Sequence, residues 1–138
     1  MKTKLILLLL TAIAIQTAAY SQVTLEWAAR YKPAGSYSYA NVDAMALDSM
    51  GNVIVSGQDS EMPYGFVTVK FNSSGQFVWA TRYSGGMPIR ATPVSIAVDT
   101  DGNIYIGAVD NDYIVIKYDS AGVQQWAKEI QGRRRRQS

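Results

Sequence analysis

The fold is decided by the stretch VSIAVDTDGNIYI, residues 94–106. It consists of two short apolar runs, Val94–Val98 and Ile104–Ile106, on either side of the turn Asp99–Asn103. Runs of β-branched residues favour strands, and Asp, Gly and Asn favour tight turns because Gly and Asn tolerate positive φ. The stretch therefore predicts a β-hairpin whose first strand, apolar on both sides, is covered on two faces.

The same hairpin occurs once more, with its turn at Asp48–Asn52, 51 residues before the turn at Asp99. Each hairpin is followed by two further apolar runs joined by a second Asx-x-x-Gly turn. The first copy thus comprises the strands Val42–Leu47, Val53–Ser56, Phe66–Phe71 and Phe77–Tyr83, and the second copy Val94–Val98, Ile104–Ile106, Tyr113–Tyr118 and Val123–Ile130. The copies differ mainly in the connection between the second and third strands, which is longer in the first copy.

A Trp-Ala pair marks the last strand of each copy, at Trp79 and Trp126, and another pair begins at Trp27. Four-stranded units of about 45 to 50 residues that repeat with a signature tryptophan are typical of β-propeller blades. We therefore predict an all-β partial β-propeller of about two four-stranded antiparallel blades, at residues 42–83 and 93–130, plus one N-terminal outer strand at 24–31. Because the tryptophans recur at one position of the unit, we expect them to pack between blades rather than to bind sugars.

Three segments, Ala44–Asn52, Ile96–Asn103 and Asp112–Tyr118, resemble the seven-bladed β-propeller (SBBP) repeat. The resemblance implies the propeller fold and an exported bacterial protein, often a large surface protein, but no particular activity. Asn72–Trp79 and Asp119–Trp126 also resemble the tryptophan-docking motif of quinone-enzyme propellers and their outer-membrane assembly relatives. The structural positions of the repeat are Trp27, Asp48, Gly51, Asn52, Gly75, Trp79, Asp99, Gly102, Asn103, Gly122 and Trp126.

Residues 1–21 have the pattern of a secretory signal peptide. Lys2 and Lys4 precede the apolar run Leu5–Ile15, and small residues favour cleavage between Ser21 and Gln22. A membrane anchor is disfavoured because polar residues interrupt the stretch and no basic flank follows it. We therefore expect a secreted or cell-surface protein with no stable membrane span after the signal is removed.

Composition excludes several classes of function. The chain has no histidine and no cysteine, which removes imidazole and thiolate metal ligands and every Ser-His or Cys-His nucleophile. Once the two lysines of the signal are removed, eleven basic side chains face eleven acidic ones, and four of the basic ones form the run Arg133–Arg136 in a basic tail at 133–138. The body before this tail is acidic, so we do not expect a nucleic-acid surface.

Two blades leave apolar faces uncovered, since a propeller needs about four to eight blades to close. We expect the chain to be a fragment of a longer propeller, with copies of itself as the alternative source of further blades.

Two sets of residues are candidates for a site. Asp99, Asp101 and Asn103 alternate like calcium ligands, but their glycine lies at the wrong position for an EF-hand loop, so a hairpin turn is the preferred explanation and we expect no metal or cofactor. Loops that differ between copies are better places for a ligand. Their candidate residues are Tyr37, Tyr39, Asp59, Glu61, Tyr64, Arg90, Asp110 and Asp112.

The favoured hypothesis is a non-catalytic scaffold that binds a protein or glycan. The alternative is part of an exported propeller enzyme, a glycan hydrolase or a quinone-dependent dehydrogenase, whose active site lies in further blades.

Overall fold

The computed structural model describes residues 24–32, 40–60, 65–85, 91–110 and 112–130, which contain eight β-strands. The predicted signal peptide and basic tail lie outside these residues. Two antiparallel sheets form, and in each the strands pair in chain order. The first sheet contains β1 (Ala44–Leu47), β2 (Val53–Gln58), β3 (Phe66–Phe71) and β4 (Phe77–Tyr83); the second contains β5 (Thr92–Val98), β6 (Ile104–Val109), β7 (Tyr113–Tyr118) and β8 (Gln124–Ile130).

The two sheets are copies of each other in register as well as in sequence. Lys70 pairs with Trp79 in the first sheet, and Lys117 pairs with Trp126 in the second. A β-bulge follows each lysine, at the same step of the β3–β4 and β7–β8 ladders. The repeat detected in the sequence therefore specifies one four-stranded unit, including the irregularity in its pairing.

The main core lies between the two sheets. Ile54 and Phe66 of the first sheet are fully buried against a cluster that includes Ile104, Ile106 and Ile116 of the second. The sheets approach each other most closely at β5, the first strand of the second sheet, which contacts β1, the first strand of the first sheet, and also β2. Face-to-face stacking with the first strands together is the arrangement of neighbouring propeller blades. The predicted all-β partial propeller is confirmed, and the described sheets do not close into a ring.

Residues 24–32 differ from the prediction, because they form no strand. The segment instead packs on the face of the first sheet that points away from the second. There Tyr31 stacks on Phe77, with ring centroids 6.4 Å apart, and contacts the cluster Val67, Val69 and Phe71. An outer strand needs a neighbouring strand to accept and donate its backbone hydrogen bonds, and the described residues provide none beside this segment.

The first strands are also less covered than their apolar sequences predicted. Met45 and Leu47 of β1 and Val94 of β5 are exposed. The inward sides of β1 and β5 meet the other sheet. Met45 and Leu47 point to the opposite face of the first sheet, on which, of the part of the chain that the structure describes, residues 24–32 pack. No helix among the described residues has the length and hydropathy needed to cross a membrane.

Candidate functional site

Four turns at one edge of the two sheets share one hydrogen-bond pattern. At the first, Gly51 N donates to Asp48 O (3.0 Å) and Asp48 N donates to Asn52 O (3.0 Å). Asp48 Oδ1 accepts from the backbone N of Met50 and of Asn52, both at 2.9 Å. The same bonds recur in the turns that begin at Asn72, Asp99 and Asp119. We call this edge, formed by the β1–β2, β3–β4, β5–β6 and β7–β8 turns, the turn edge.

The fourth residue of each turn is a glycine with positive φ, between 75° and 82°. A three-residue hairpin loop of this kind ends in the left-handed conformation, which glycine adopts without steric cost. This explains why Gly51, Gly75, Gly102 and Gly122 are fixed points of the repeat. The aspartates and the asparagine are fixed because their side chains close the turns.

Asp48 carries an additional ion pair. Its Oδ2 lies 3.0 Å from Lys70 Nζ, and both side chains are almost fully buried. Burial by itself raises the pKa of Asp48, but hydrogen bonds from Asn52 and Lys70 and from the turn backbone outweigh it and lower the pKa to about 2.

The equivalent aspartate of the second sheet has different partners. Asp99 Oδ2 accepts from Asn103 Nδ2 (2.8 Å) and from the Tyr105 hydroxyl (3.2 Å). The hydrogen bond from the Asn103 side chain is the main cause of a lowered Asp99 pKa. Lys117, the counterpart of Lys70, lies instead over the Tyr105 ring, 5.2 Å from its centroid.

These contacts bear directly on the predicted metal candidate. Asp99 uses both carboxylate oxygens within its own turn, and the Asn103 amide nitrogen points toward it. Asp101 is exposed, and its backbone N donates to Asp99 Oδ1 at 3.0 Å. Within the described residues, no three His, Cys, Asp or Glu side chains are grouped closely enough to hold a metal ion. Asp99 and Asn103 thus close the β5–β6 hairpin turn.

The repeated tryptophans pack on the repeated glycines. Trp79 of β4 lies over Gly122 of the second sheet so closely that a β-carbon added to Gly122 would come within 2.8 Å of the indole. Trp79 Nε1 also donates to Ser120 O, at 3.2 Å, in the same turn. Trp27 lies over Gly75 in the same way, because a β-carbon added to Gly75 would come within 2.6 Å of the Trp27 indole. A tryptophan of one unit thus packs on the turn glycine of the next unit.

The opposite edge, which we call the loop edge, contains the β2–β3, β4–β5 and β6–β7 connections. The two sheets differ there. Residues 59–65 join β2 to β3 in the first sheet, whereas residues 110–112 join β6 to β7 in the second. In the shorter connection Asp110 N donates to Asp112 O at 3.1 Å, Asp110 is exposed and Asp112 is half-buried.

Asp59 is a predicted candidate for ligand contact at the start of the β2–β3 connection. Its side chain is fully buried and forms an ion pair with Arg82 of β4. Beside it, Gln58 Nε2 donates to Thr92 Oγ1 (2.8 Å) and links the two sheets. These polar residues hold the loop edge together. The other predicted loop residues, Tyr37, Tyr39, Glu61, Tyr64 and Arg90, lie outside the described residues.

Sequence reasoning did not identify Arg82, Gln58 or Thr92. A usable signal was present, because the copies differ at these positions: Glu129 and Val109 stand in the second copy where Arg82 and Gln58 stand in the first. A charged or amide side chain confined to one copy indicates a contact that the repeat itself does not require.

Stacked four-stranded sheets, shared turns and tryptophans that pack on the next unit define a protein built from β-propeller repeats. In agreement, residues 78–109 match the family model of the SBBP beta-propeller repeat. The chain therefore carries a repeat of the SBBP family, and the resemblance found in its sequence is confirmed. The matched stretch runs from β4 of the first sheet through β6 of the second. No curated protein matches the chain.

Proposed function

We propose that the chain is a non-catalytic scaffold of an exported bacterial β-propeller, and that it recognises a protein or glycan ligand through its loop edge. The observation that carries the proposal is the contrast between the two edges. At the turn edge all four turns have the same internal hydrogen bonds. At the loop edge the connections differ in length and in charge between the copies.

The turn edge offers little for chemistry. The Asp48 and Asp99 carboxylates accept hydrogen bonds from their own turns, and Asp48 also pairs with Lys70. A catalytic acid, base or nucleophile needs an atom that can reach a substrate. The absence of histidine and cysteine from the sequence narrows the choice of nucleophile and base further.

The loop edge is suited to recognition because connecting loops vary without disturbing the scaffold that carries them. The ion pair between Asp59 and Arg82 and the bond between Gln58 and Thr92 hold the bases of these loops. Asp110 is exposed at the same edge. A ligand would there meet side chains mounted on two rigid sheets, which lowers the entropy cost of binding.

Export is supported by the basic, apolar and small-residue pattern of residues 1–21. We expect the chain recovered after export to begin at Gln22, which N-terminal sequencing measures. A Leu8→Arg change in the apolar run should retain the full-length chain inside the cell. A chain that is exported with an intact N-terminus would contradict cleavage at this site.

The binding proposal is tested on a panel of glycans and peptides with the exported chain. Replacement of residues 60–64 by a single Asn, the counterpart of Asn111 in the second copy, should abolish binding of any ligand found. Asp59 and Gly65 are kept, because a β-carbon at Gly65 would come within 2.0 Å of Tyr83 O, and circular dichroism checks the fold. Ser49→Ala, at an exposed residue of the turn edge, is the matched control and should leave binding unchanged. Turnover of a panel member, lost when Asp110 is changed to Asn, would overturn the non-catalytic assignment.

A further inference from the structure

The second sheet has an apolar face that no described residue covers. We define this open face by the side chains on the side of the second sheet away from the core, which are mainly aromatic and aliphatic and include two lysines: Tyr105, Tyr113, Val115, Lys117, Trp126, Lys128 and Ile130. Tyr113 is 62% exposed and Ile130 is 57% exposed. An exposed group of large apolar side chains of this kind marks an interaction surface.

The covered face of the first sheet shows what kind of partner fits. Tyr113 and Ile130 occupy the positions that Phe66 and Tyr83 occupy in the first sheet, and those two are 0% and 7% exposed because the second sheet covers them. The tryptophan of the fourth strand shows the same difference between the two sheets. Trp79 packs on a turn glycine of the next sheet, whereas its counterpart Trp126 is exposed and contacts Tyr105 of its own sheet. The open face thus has the residues that dock another sheet with an Asx-x-x-Gly turn.

The chain itself has such a sheet at its other end. The far face of the first sheet consists of Val67, Val69 and Phe71 with exposed Met45 beside them, and Gly75 lies in the adjoining turn. Trp27 shows that Gly75 accepts an indole, in the same manner in which Gly122 accepts Trp79. One chain therefore has a surface that presents a tryptophan on one side and a surface that accepts a tryptophan on the other.

We propose that the open face docks on the first sheet of a second copy of this chain, with Trp126 over Gly75 of that copy. The contact continues the interface that already joins the two sheets, one unit further along. It is heterologous, since different surfaces of the two copies meet, and it therefore allows rings or longer assemblies. Segment 24–32 of the accepting copy, whose Trp27 occupies Gly75, leaves that place when the second copy binds.

This arrangement makes two tryptophans compete for one glycine. Trp27 occupies Gly75 within the chain, where its effective concentration is high. Trp126 of a second copy replaces it only because the open face adds the area of a whole sheet to the contact. Removal of Trp27 should therefore strengthen association, and removal of Trp126 should weaken it.

The test is analytical ultracentrifugation of the full chain as recovered after expression, with its N-terminus identified by mass spectrometry. Ile130→Glu places a charge on the open face, and Met45→Glu places one on the accepting face. Both positions are more than half exposed, so the fold should persist, which circular dichroism checks. Each variant alone should associate at least tenfold more weakly than the unaltered chain. An equimolar mixture should form a dimer, because each variant retains the surface that the other has lost.

Trp27→Ala should tighten association of the otherwise unaltered chain at least threefold. If either glutamate variant fails to fold, Trp126→Ala and Leu47→Glu replace the pair and are mixed in the same way. A monomeric unaltered chain at every concentration tested would overturn the proposal. Association that neither charge weakens would also overturn it, because another surface would then be responsible, and a mixture that stays monomeric would exclude a head-to-tail contact.

Discussion

The indole of Trp79 lies so close to Gly122 that a β-carbon at Gly122 would overlap it, so two residues 43 positions apart join the first sheet to the turn of the second. Gly122 also has a φ of 82°, which disfavours any other residue. Gly122→Ala should lower the free energy of unfolding by about 2 to 4 kcal/mol, because the left-handed backbone and the overlap with the indole both oppose a β-carbon. Urea denaturation measures the loss.

Gly51→Ala is the matched control. Gly51 has a similar φ of 75°, but an added β-carbon would meet only Ser73 at 3.6 Å, which is an ordinary contact. The loss should be about 1 kcal/mol, from the backbone alone. Equal losses at the two glycines would show that the indole contact adds nothing.

The Asp48–Lys70 ion pair predicts a pH dependence of stability. The pKa of Asp48 is lowered in the folded chain, to about 2, so the stabilisation is complete above the unfolded value near 4 and is lost as the pH falls through 2. Asp48→Asn keeps Oδ1 as the acceptor of the turn, as Asn72 shows in the β3–β4 turn, but it replaces the charged Oδ2, which accepts from Asn52 and pairs with Lys70, by an amide nitrogen. The variant should be about 2 kcal/mol less stable at pH 7, because Lys70 is left buried without its carboxylate, and the difference should shrink toward pH 2.

Asp119→Asn provides the comparison for this pH profile. Asp119 closes its turn with the same backbone bonds, and its second oxygen accepts from Gln125 Nε2 (2.9 Å) rather than from a lysine. Its replacement should change stability little at either pH. A pH-independent effect of Asp48→Asn would contradict the role assigned to the ion pair.

Tyr118 has a buried hydroxyl without a hydrogen-bond partner among the described residues. Burial raises the pKa of this phenol, and nearby Tyr83 raises it further. An unsatisfied buried polar group costs about 1 to 3 kcal/mol, so Tyr118→Phe should stabilise the chain by about 1 kcal/mol. Phe71, the counterpart in the first sheet, shows that a phenyl ring suits this position. Thermal denaturation should show a higher Tm.

Tyr105→Phe is the opposite case, because it removes the bond from the Tyr105 hydroxyl to Asp99. It should lower stability by about 0.5 to 1.5 kcal/mol. A loss of stability on Tyr118→Phe would show that this hydroxyl, too, is hydrogen-bonded in solution.

The ion pair between Asp59 and Arg82 at the loop edge should contribute strongly to the stability of the chain. Asp59→Ala leaves the Arg82 cation without its buried carboxylate partner, which costs about 3 kcal/mol. Adding Arg82→Met should recover most of the lost stability, because the double variant no longer has a cation that lacks its carboxylate partner. A double-mutant cycle measured by urea denaturation gives the coupling, and a coupling below about 0.5 kcal/mol would contradict the contact.

Much of the fold was predictable because the sequence contains two copies of the same four-stranded unit. The turns at Asp48 and Asp99 have the residues that their hydrogen bonds require, and the strand that carries Trp79 was predicted with its observed bounds. Residues 24–31 were predicted as a strand because Trp27-Ala28 copies that position. This segment does pack like the fourth strand of a unit, since Trp27 covers Gly75 as Trp79 covers Gly122. It forms no strand, because a match in sequence does not provide a neighbouring strand.

The candidate site was harder to predict. Asp59 has the residue type and loop position of a ligand contact, yet its carboxylate pairs with Arg82 on a strand two turns further along the chain. An ion pair between residues of two distant elements that occurs in one unit alone does not recur at the spacing of the repeat. Comparison of the copies shows that Arg82 is confined to one unit, but it does not show that Asp59 is its partner.

The matched stretch of residues 78–109 begins in one sheet and ends in the next. The stretch covers β4, β5 and β6 and lacks the third strand of a unit, so it corresponds to the junction between two neighbouring sheets rather than to one whole sheet. The connection from β4 to β5 tethers the second sheet to the first. It therefore keeps each sheet at a high effective concentration beside the surface that it covers.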